Sequence, residues 1–430
     1  MSRSESDKSL IRDKINNSKT FCVFPWNHLH VTPMGTGTPC CISKSCTTRE
    51  GMGDAKNGRL MELVNSLKMK QLRLDMLNGI ESDECTTCYQ HEKTGIRSFR
   101  EEGIRLYPES IEDAINNTNS DGSVSEFNMR YYDMRFSNLC NFKCRTCGQE
   151  YSSQWEQENR KHRPEFVDVT FPKSANKELL QDAIDQIKNL KKAYFAGGEP
   201  LIMEEHYILL EEMIRQGYTD INLIYNSNIS NIKYKDKDLI GLWKHFKKDV
   251  QLYASVDHVR ERAEYIRHGT DWAVIEQNIT DLRQHDFIKI TMNTVLSIFN
   301  FLTIDKFYQY LITKNLYGNN DMAASLYCMS TPYYLSCHSM PNEFKQLGNE
   351  SLERAIDLMT ANKFRPAQLI ELTQARPWAM SQDTWLDKDQ YGYMNKTRFR
   401  MEIERLDKIR GEKFENVFPE LMPLLEQTYE

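Results

Sequence analysis

No stretch of this 430-residue chain approaches the ~20 consecutive apolar residues that a helix needs to span a bilayer. The opening MSRSESDKSLIRDKINNSKT is polar and charged, without the apolar core of a secretory signal. These two absences lead us to expect a cytoplasmic protein with reduced thiols and no membrane partner. An excess of positive charge is also missing. Lys and Arg total 55 against 61 Asp and Glu, a net charge of −6, so no overall basic field recommends nucleic acid as a partner. No internal repeat is visible. At roughly 150 residues per domain, the length suggests two or three domains.

Cysteine, by contrast, is plentiful and unevenly placed. There are eleven, at positions 22, 40, 41, 46, 85, 88, 140, 144, 147, 328 and 337. Nine precede residue 150. An odd count in a reducing compartment argues against a disulfide framework, and clustering argues for metal.

The first 20 residues read as a flexible lead, 21–115 as a cysteine-rich module, and NNTNSDGSVSE (116–126) as a linker. From 127 to 335 short apolar runs alternate with amphipathic helical stretches. YYDMRFS (131–137), KKAYFAG (191–197), INLIYNSN (221–228), VQLYASVD (250–257), IKITMNTVLSI (288–298) and MAASLYCM (322–329) read as strands. Helical stretches near 204–216, 237–247, 272–285 and 303–315 separate the later ones. Such alternation predicts an α/β fold with a parallel sheet, and six units make an incomplete (β/α)6 barrel. Residues 336–430 read as a helical extension with no chemistry of their own.

NLCNFKCRTCG (138–148) places Cys140, Cys144 and Cys147 within eight residues, directly after the first strand of the alternating region. In an α/β barrel, active sites lie at the strand C-terminal ends. Three thiolates in a short loop hold three corners of a cubane iron–sulfur cluster and leave the fourth iron open. A tetrahedral zinc site wants a fourth ligand nearby, and the nearest His, His162, is fifteen residues on. The motif C-x3-C-x2-C resembles the signature of the radical S-adenosylmethionine (SAM) superfamily. The resemblance implies a [4Fe–4S] cluster on Cys140, Cys144 and Cys147, with SAM chelating the open iron. It also implies reductive cleavage of SAM to a 5′-deoxyadenosyl radical that abstracts a substrate hydrogen. One departure is Thr146, where many members have an aromatic residue.

Three further stretches support the resemblance. AGGEP (196–200) ends the second strand and looks like the family's GGE motif, which implies that Gly197, Gly198 and Glu199 meet SAM. ASVDH (254–258) and EYIRHG (264–269) are similar to its S-x-D and E-x-x-R-x-G segments, implying cofactor contacts for Ser255, Asp257 and Arg267. YNSN (225–228) resembles a T-N pair and implies one for Asn226. A helix cap for Ser255 or Asp257, a solvated Arg267 and a plain turn at 225–228 are the alternatives. The resemblance names no catalytic side chain.

Ahead of this region, Cys22, Gly35 and Cys40 stand as C-x12-G-x4-C, and CTTC supplies Cys85 and Cys88. Four cysteines saturate a zinc ion or an Fe–S cluster, and spacing does not choose between them. The pattern resembles the SPASM and twitch modules, here before the radical domain rather than after it. That implies an auxiliary Fe–S cluster on Cys22, Cys40, Cys85 and Cys88, with Cys41 and Cys46 as spare thiols. Buried thiols are the default for Cys328 and Cys337. The resemblance also implies an external electron donor such as flavodoxin or ferredoxin, and a peptide or protein substrate. A nucleotide, sugar or small metabolite is the second reading, and a non-catalytic Fe–S- or zinc-stabilised binding protein the third.

Overall fold

The computed structural model describes residues 5–426 except 17, 49, 168, 382–383 and 389–392. The chain divides into two compact units, 1–140 with 149–225 and 237–250, and 141–148 with 226–236 and 251–430. All six expected strands are present, at Tyr131–Met134, Lys192–Phe195, Asn222–Ser227, Val250–Ser255, Ile288–Leu296 and Ser325–Cys328. The α/β class with a parallel sheet therefore stands.

In the first unit the sheet runs in the order 222–227, 192–195, 131–134, 28–31, 36–38, 53–54. The first four strands pair in parallel, and the last two fold back antiparallel. The strand His28–Val31 from the cysteine-rich segment thus joins the parallel sheet, with His30 opposite Asp133. Nothing local in HLHV names that neighbour, because pairing over 100 residues leaves no local trace. Tyr225 anchors the core here. It stacks on Phe195 with centroids 5.0 Å apart, and its hydroxyl meets His206 Nε2 at 3.0 Å and Trp243 Nε1 at 3.1 Å.

Two stretches read as structureless are folded. Glu5–Asn16 is a helix with Ile11 and Ile15 buried; residues 1–4 lie outside the described residues. The expected linker 116–126 contains the end of helix Glu109–Asn117 and a bridge between Thr118 and Val124. Asn65 imitates a strand there, donating to Val124 O at 2.9 Å and accepting from Val124 N–H at 2.8 Å. Polar composition signalled a linker, and the segment is instead a turn tied down by a side chain distant in sequence.

In the second unit the strands 250–255, 288–296 and 325–328 are neighbours in that order, the last two parallel. The extension is helical as expected, at Asn342–Ala361, Pro366–Ala379 and Asn395–Arg410 with shorter turns beyond. Its Phe399, Phe414 and Phe418 are buried with Phe299 and Tyr265, centroids 5.3–6.5 Å apart. Among the described residues no helix is long and apolar enough to cross a membrane.

Candidate functional site

In the first unit, the segment leading to Cys140 is built against the glycine pair. Glu199 N–H donates to Leu139 O at 2.7 Å. Gly198 is so close that a Cβ there would overlap that same oxygen. Gly197 holds φ +126°, a region that L side chains rarely adopt. Glu199 is buried, and its Oε1 accepts from Leu201 N–H at 3.0 Å, capping the turn that Pro200 opens. Cys140 is held by Ser153, whose hydroxyl accepts from Cys140 N–H at 3.2 Å and donates to Cys140 O at 3.1 Å. Ser153 N–H donates to Asn138 O at 2.7 Å. The GGEP stretch and the first thiol are thus one local construction.

In the second unit, the rest of the loop is pinned to the segment 266–269. Lys143 N–H donates to His268 O at 2.9 Å, and Arg145 N–H to Ile266 O at 2.7 Å. Gly269 has φ +108°, and a Cβ there would lie 3.0 Å from Asn141 O and from the Phe142 ring. That approach explains the glycine in EYIRHG. Cys144 is buried and Cys147 exposed. Arg267 packs its guanidinium on Asp257, with Nε 2.9 Å from Oδ2 and Nη2 3.1 Å from Oδ1, while Nη1 points at Cys144 Sγ, 3.9 Å away. Burial opposes the Arg267 charge, but Asp257 and then Cys144 outweigh it and raise its pKa. Arg267 is therefore engaged by Asp257 and the thiol rather than solvated. Ser255 ends its strand half-buried. Asn228 reaches the loop, donating to Asn141 Oδ1 at 3.0 Å while Asn141 donates to Ser230 Oγ at 2.9 Å.

The auxiliary thiols lie in the first unit. Gly35 makes the hairpin turn at φ +79°, closed by Gly35 N–H to Thr32 O at 2.8 Å, and the returning strand delivers Cys40. Cys85 ends the turn Asp83–Cys85, and Cys88 sits in helix Thr86–Lys93. Burial raises the Cys22 thiol pKa, and the charges of Cys85 and Cys88 add to it. Burial also raises Cys40, followed by Cys41, Cys22 and Cys46. Cys22 therefore lies within electrostatic reach of Cys40, Cys85 and Cys88. Arg100 stands beside it, paired with Glu92 at 2.7 Å and donating to Phe21 O at 2.9 Å. Sequence reasoning missed the neighbouring group of Cys46, His30 and Asp133. Cys46 donates to Cys40 O at 2.9 Å and lies 3.1 Å from Thr38 Oγ1. His30 Nδ1 is 3.0 Å from Asp133 Oδ2. The alternating HLH of strand 28–31 was the available signal.

Among the described residues no three His, Cys, Asp or Glu side chains converge on a metal position. The donor chemistry nevertheless suits iron–sulfur ligation: three thiols in one short loop, a guanidinium beside the middle one, and glycines where the backbone passes closest.

Residues 134–311 match the family model described as Radical SAM superfamily, and residues 22–89 match one described as an iron-sulfur cluster-binding domain, SPASM. Among solved structures the chain is similar to native anSMEcpe with bound AdoMet, at 15% identity and TM-score 0.38 over 54% of this chain and 60% of that one. It is also similar to anSMEcpe with AdoMet and the Cp18Cys peptide, at 14% and 0.36 over 53% and 58%. A third is Streptococcus suis SuiB bound to S-adenosylmethionine, at 15% and 0.36 over 68% and 63%. The matches to anSMEcpe thus span less than two thirds of its length. No curated protein matches the chain. The chain carries a radical SAM domain, whose cofactors are a [4Fe–4S] cluster and SAM, and ahead of it a SPASM iron–sulfur cluster-binding domain.

Proposed function

We propose that this protein is a radical SAM enzyme acting on a peptide or protein side chain. Cys140, Cys144 and Cys147 are the ligands of the catalytic cluster, and Cys22, Cys40, Cys85 and Cys88 those of an auxiliary cluster. When bound, the catalytic cluster and SAM supply a 5′-deoxyadenosyl radical for hydrogen abstraction. The chain's residues bind and orient. Gly197 and Gly198 bring the 197–199 backbone against the cysteine loop, and Glu199 stiffens the turn. Asp257 holds Arg267 at Cys144, where its cation offsets thiolate charge. Ser255 and Asn226 stand at strand ends, within the motifs that meet the cofactor in this family. An external flavodoxin- or ferredoxin-like donor supplies the electron.

The boundaries we favour are 21–115 for the auxiliary module and 127–335 for the radical domain, with 336–430 as an extension. The substrate class rests on the pairing of a SPASM module with the radical domain. The protein is read as cytoplasmic.

The observation that carries the reading is the fit of the cysteine loop to its glycines: Gly198 at Leu139 O and Gly269 at Asn141 O. A loop of ordinary thiols has no need of such close backbone approach. Anaerobic reconstitution, with iron and sulfide counting and electron paramagnetic resonance (EPR) of the reduced protein, tests it. The expected result is a cubane signal that changes on adding SAM and is lost in Cys140→Ala/Cys144→Ala/Cys147→Ala. Absence of any SAM-responsive signal, or a SAM-responsive signal surviving in the triple variant, would overturn it.

A further inference from the structure

Arg145 follows Cys144 directly in the loop and is itself 4% exposed. Its backbone N–H is spent on Ile266 O, and its Nε donates to Tyr265 O at 3.2 Å. The guanidinium carbon lies 3.7 Å from the centroid of the Tyr265 ring, a cation–π arrangement at close range. Nη2 then meets two carboxylates, Asp407 Oδ1 at 2.6 Å and Glu412 Oε2 at 2.5 Å. Both belong to the C-terminal extension, more than 260 residues downstream. Asp407 lies in the last turn of helix Asn395–Arg410. Glu412 follows Gly411, whose φ of +68° turns the chain out of that helix.

The two carboxylates are themselves fixed. Asp407 Oδ1 also accepts the Tyr265 hydroxyl at 2.6 Å, and its Oδ2 accepts Phe414 N–H at 2.7 Å. Glu412 Oε1 lies 2.5 Å from Nδ1 of His268, the residue whose carbonyl receives Lys143 N–H. The network therefore closes on itself: loop residues 143 and 145, the segment 265–268, and the pair Asp407 and Glu412. The charge of Arg410, at the end of the same helix, also bears on Cys144.

A buried guanidinium needs partners, since an uncompensated buried charge is strongly destabilising. Hydrophobic packing alone accounts for Phe399, Phe414 and Phe418. It does not call for two carboxylates aimed at the residue beside a cluster ligand. We propose that the C-terminal helix and its Gly411–Glu412 cap are a positioning element of the catalytic cluster. Asp407 and Glu412 fix Arg145, and through it the path of the loop between Cys144 and Cys147. The proposal rests on the radical SAM reading above. Asp407, Glu412 and Arg145 are positioning residues and touch no reacting atom.

The test uses the full-length, anaerobically reconstituted protein. It measures 5′-deoxyadenosine formation with dithionite, separated into KM for SAM and kcat, together with EPR of the reduced cluster with and without SAM. Asp407→Asn and Glu412→Gln should keep their iron but lower kcat by about tenfold or more, with an altered EPR spectrum in the presence of SAM. In an Arg145→Met background neither change should add a further loss, because both act through the same guanidinium. Arg145→Lys should recover part of the rate. Multiplicative losses in the double variants, or rates within about twofold of wild type with unchanged spectra, would overturn the proposal. If these variants fail to fold, Tyr265→Phe decides. It keeps the ring under Arg145 and removes only the hydroxyl bond to Asp407, with a loss of about threefold expected and no change contradicting the proposal. A wild-type protein that loads iron and releases no 5′-deoxyadenosine would bring down the radical SAM reading, and this proposal with it. That failure is visible before any variant is compared.

Discussion

Residues in the loop region are legible in the sequence by type, while the reasons for them lie in the fold. GGEP marks a close approach, and the partner, Leu139 O, is visible only in three dimensions. Gly198→Ala should therefore clash with backbone rather than with a yielding side chain. A loss of about 1–3 kcal/mol is expected from urea unfolding, together with weakened SAM binding by equilibrium dialysis. The resemblance of YNSN to a T-N pair points to Asn226, and alternation puts Asn228 on the same face. The turn after the strand, with Ile229 at φ +50°, gives Asn228 the contact to the loop. Buried histidines make a second claim at this scale. Burial lowers the pKa of His206 to about 3, and burial followed by the Arg262 charge does the same for His258. Both are neutral when folded, and the unfolded chain takes up their protons below its pKa of about 6.5. Their contribution is thus complete above pH ~6.5 and falls as the pH drops toward 3, by about 2 kcal/mol each at pH 5. Urea midpoints at pH 7 and pH 5 should show the decline, and His206→Gln should reduce its slope. A midpoint independent of pH over that range would contradict it.

Elements were more legible than their partners. The six core strands were readable as short apolar runs between turn signals, and most of them bury alternate residues, as in Asn222–Ser227 and Val250–Ser255. The helices between them followed from 3.6-residue periodicity. Pairings at long range were not readable, and the addition of His28–Val31 to the parallel sheet is one. The polar segment 116–126 failed for a related reason, since Asn and Asp serve packed turns as readily as free linkers. Asn176 illustrates how one side chain joins elements. Its Oδ1 caps helix Lys177–Asp185 by accepting from Glu178 and Leu179 N–H, while its Nδ2 donates to Ala55 O and Gly58 O in the cysteine-rich segment. Asn176→Ala should cost about 1–2 kcal/mol. Asn176→Asp should keep the cap but lose the two donor contacts. Thermal unfolding of the two variants separates these contributions, and equal stability of both with wild type would contradict the assignment.

The whole molecule is defined by where its thiols are gathered. Six of the eleven cysteines lie in the segment 22–88 and three in the loop at 140–147. The clustering was legible because metal chemistry demands particular side chains at close spacing. The role of the C-terminal extension was not, because nothing local marks Asp407 in its helix, or Glu412 just beyond that helix, until the fold brings them to Arg145. Two separate clusters predict that Cys85→Ala/Cys88→Ala lowers the iron content while sparing the SAM-responsive EPR signal. Cys144→Ala should also lower the iron content, but abolish the SAM-responsive signal and spare that of the auxiliary cluster. Loss of both signals in either variant would contradict independent sites. The central claim is that the loop of Cys140, Cys144 and Cys147 supports reductive cleavage of SAM. Its most direct measurement is 5′-deoxyadenosine released after dithionite reduction under strict anaerobiosis. Release by the wild-type protein and none above background by Cys144→Ala is the predicted result; equal release by the two, or none from wild-type protein with full iron occupancy, would contradict it.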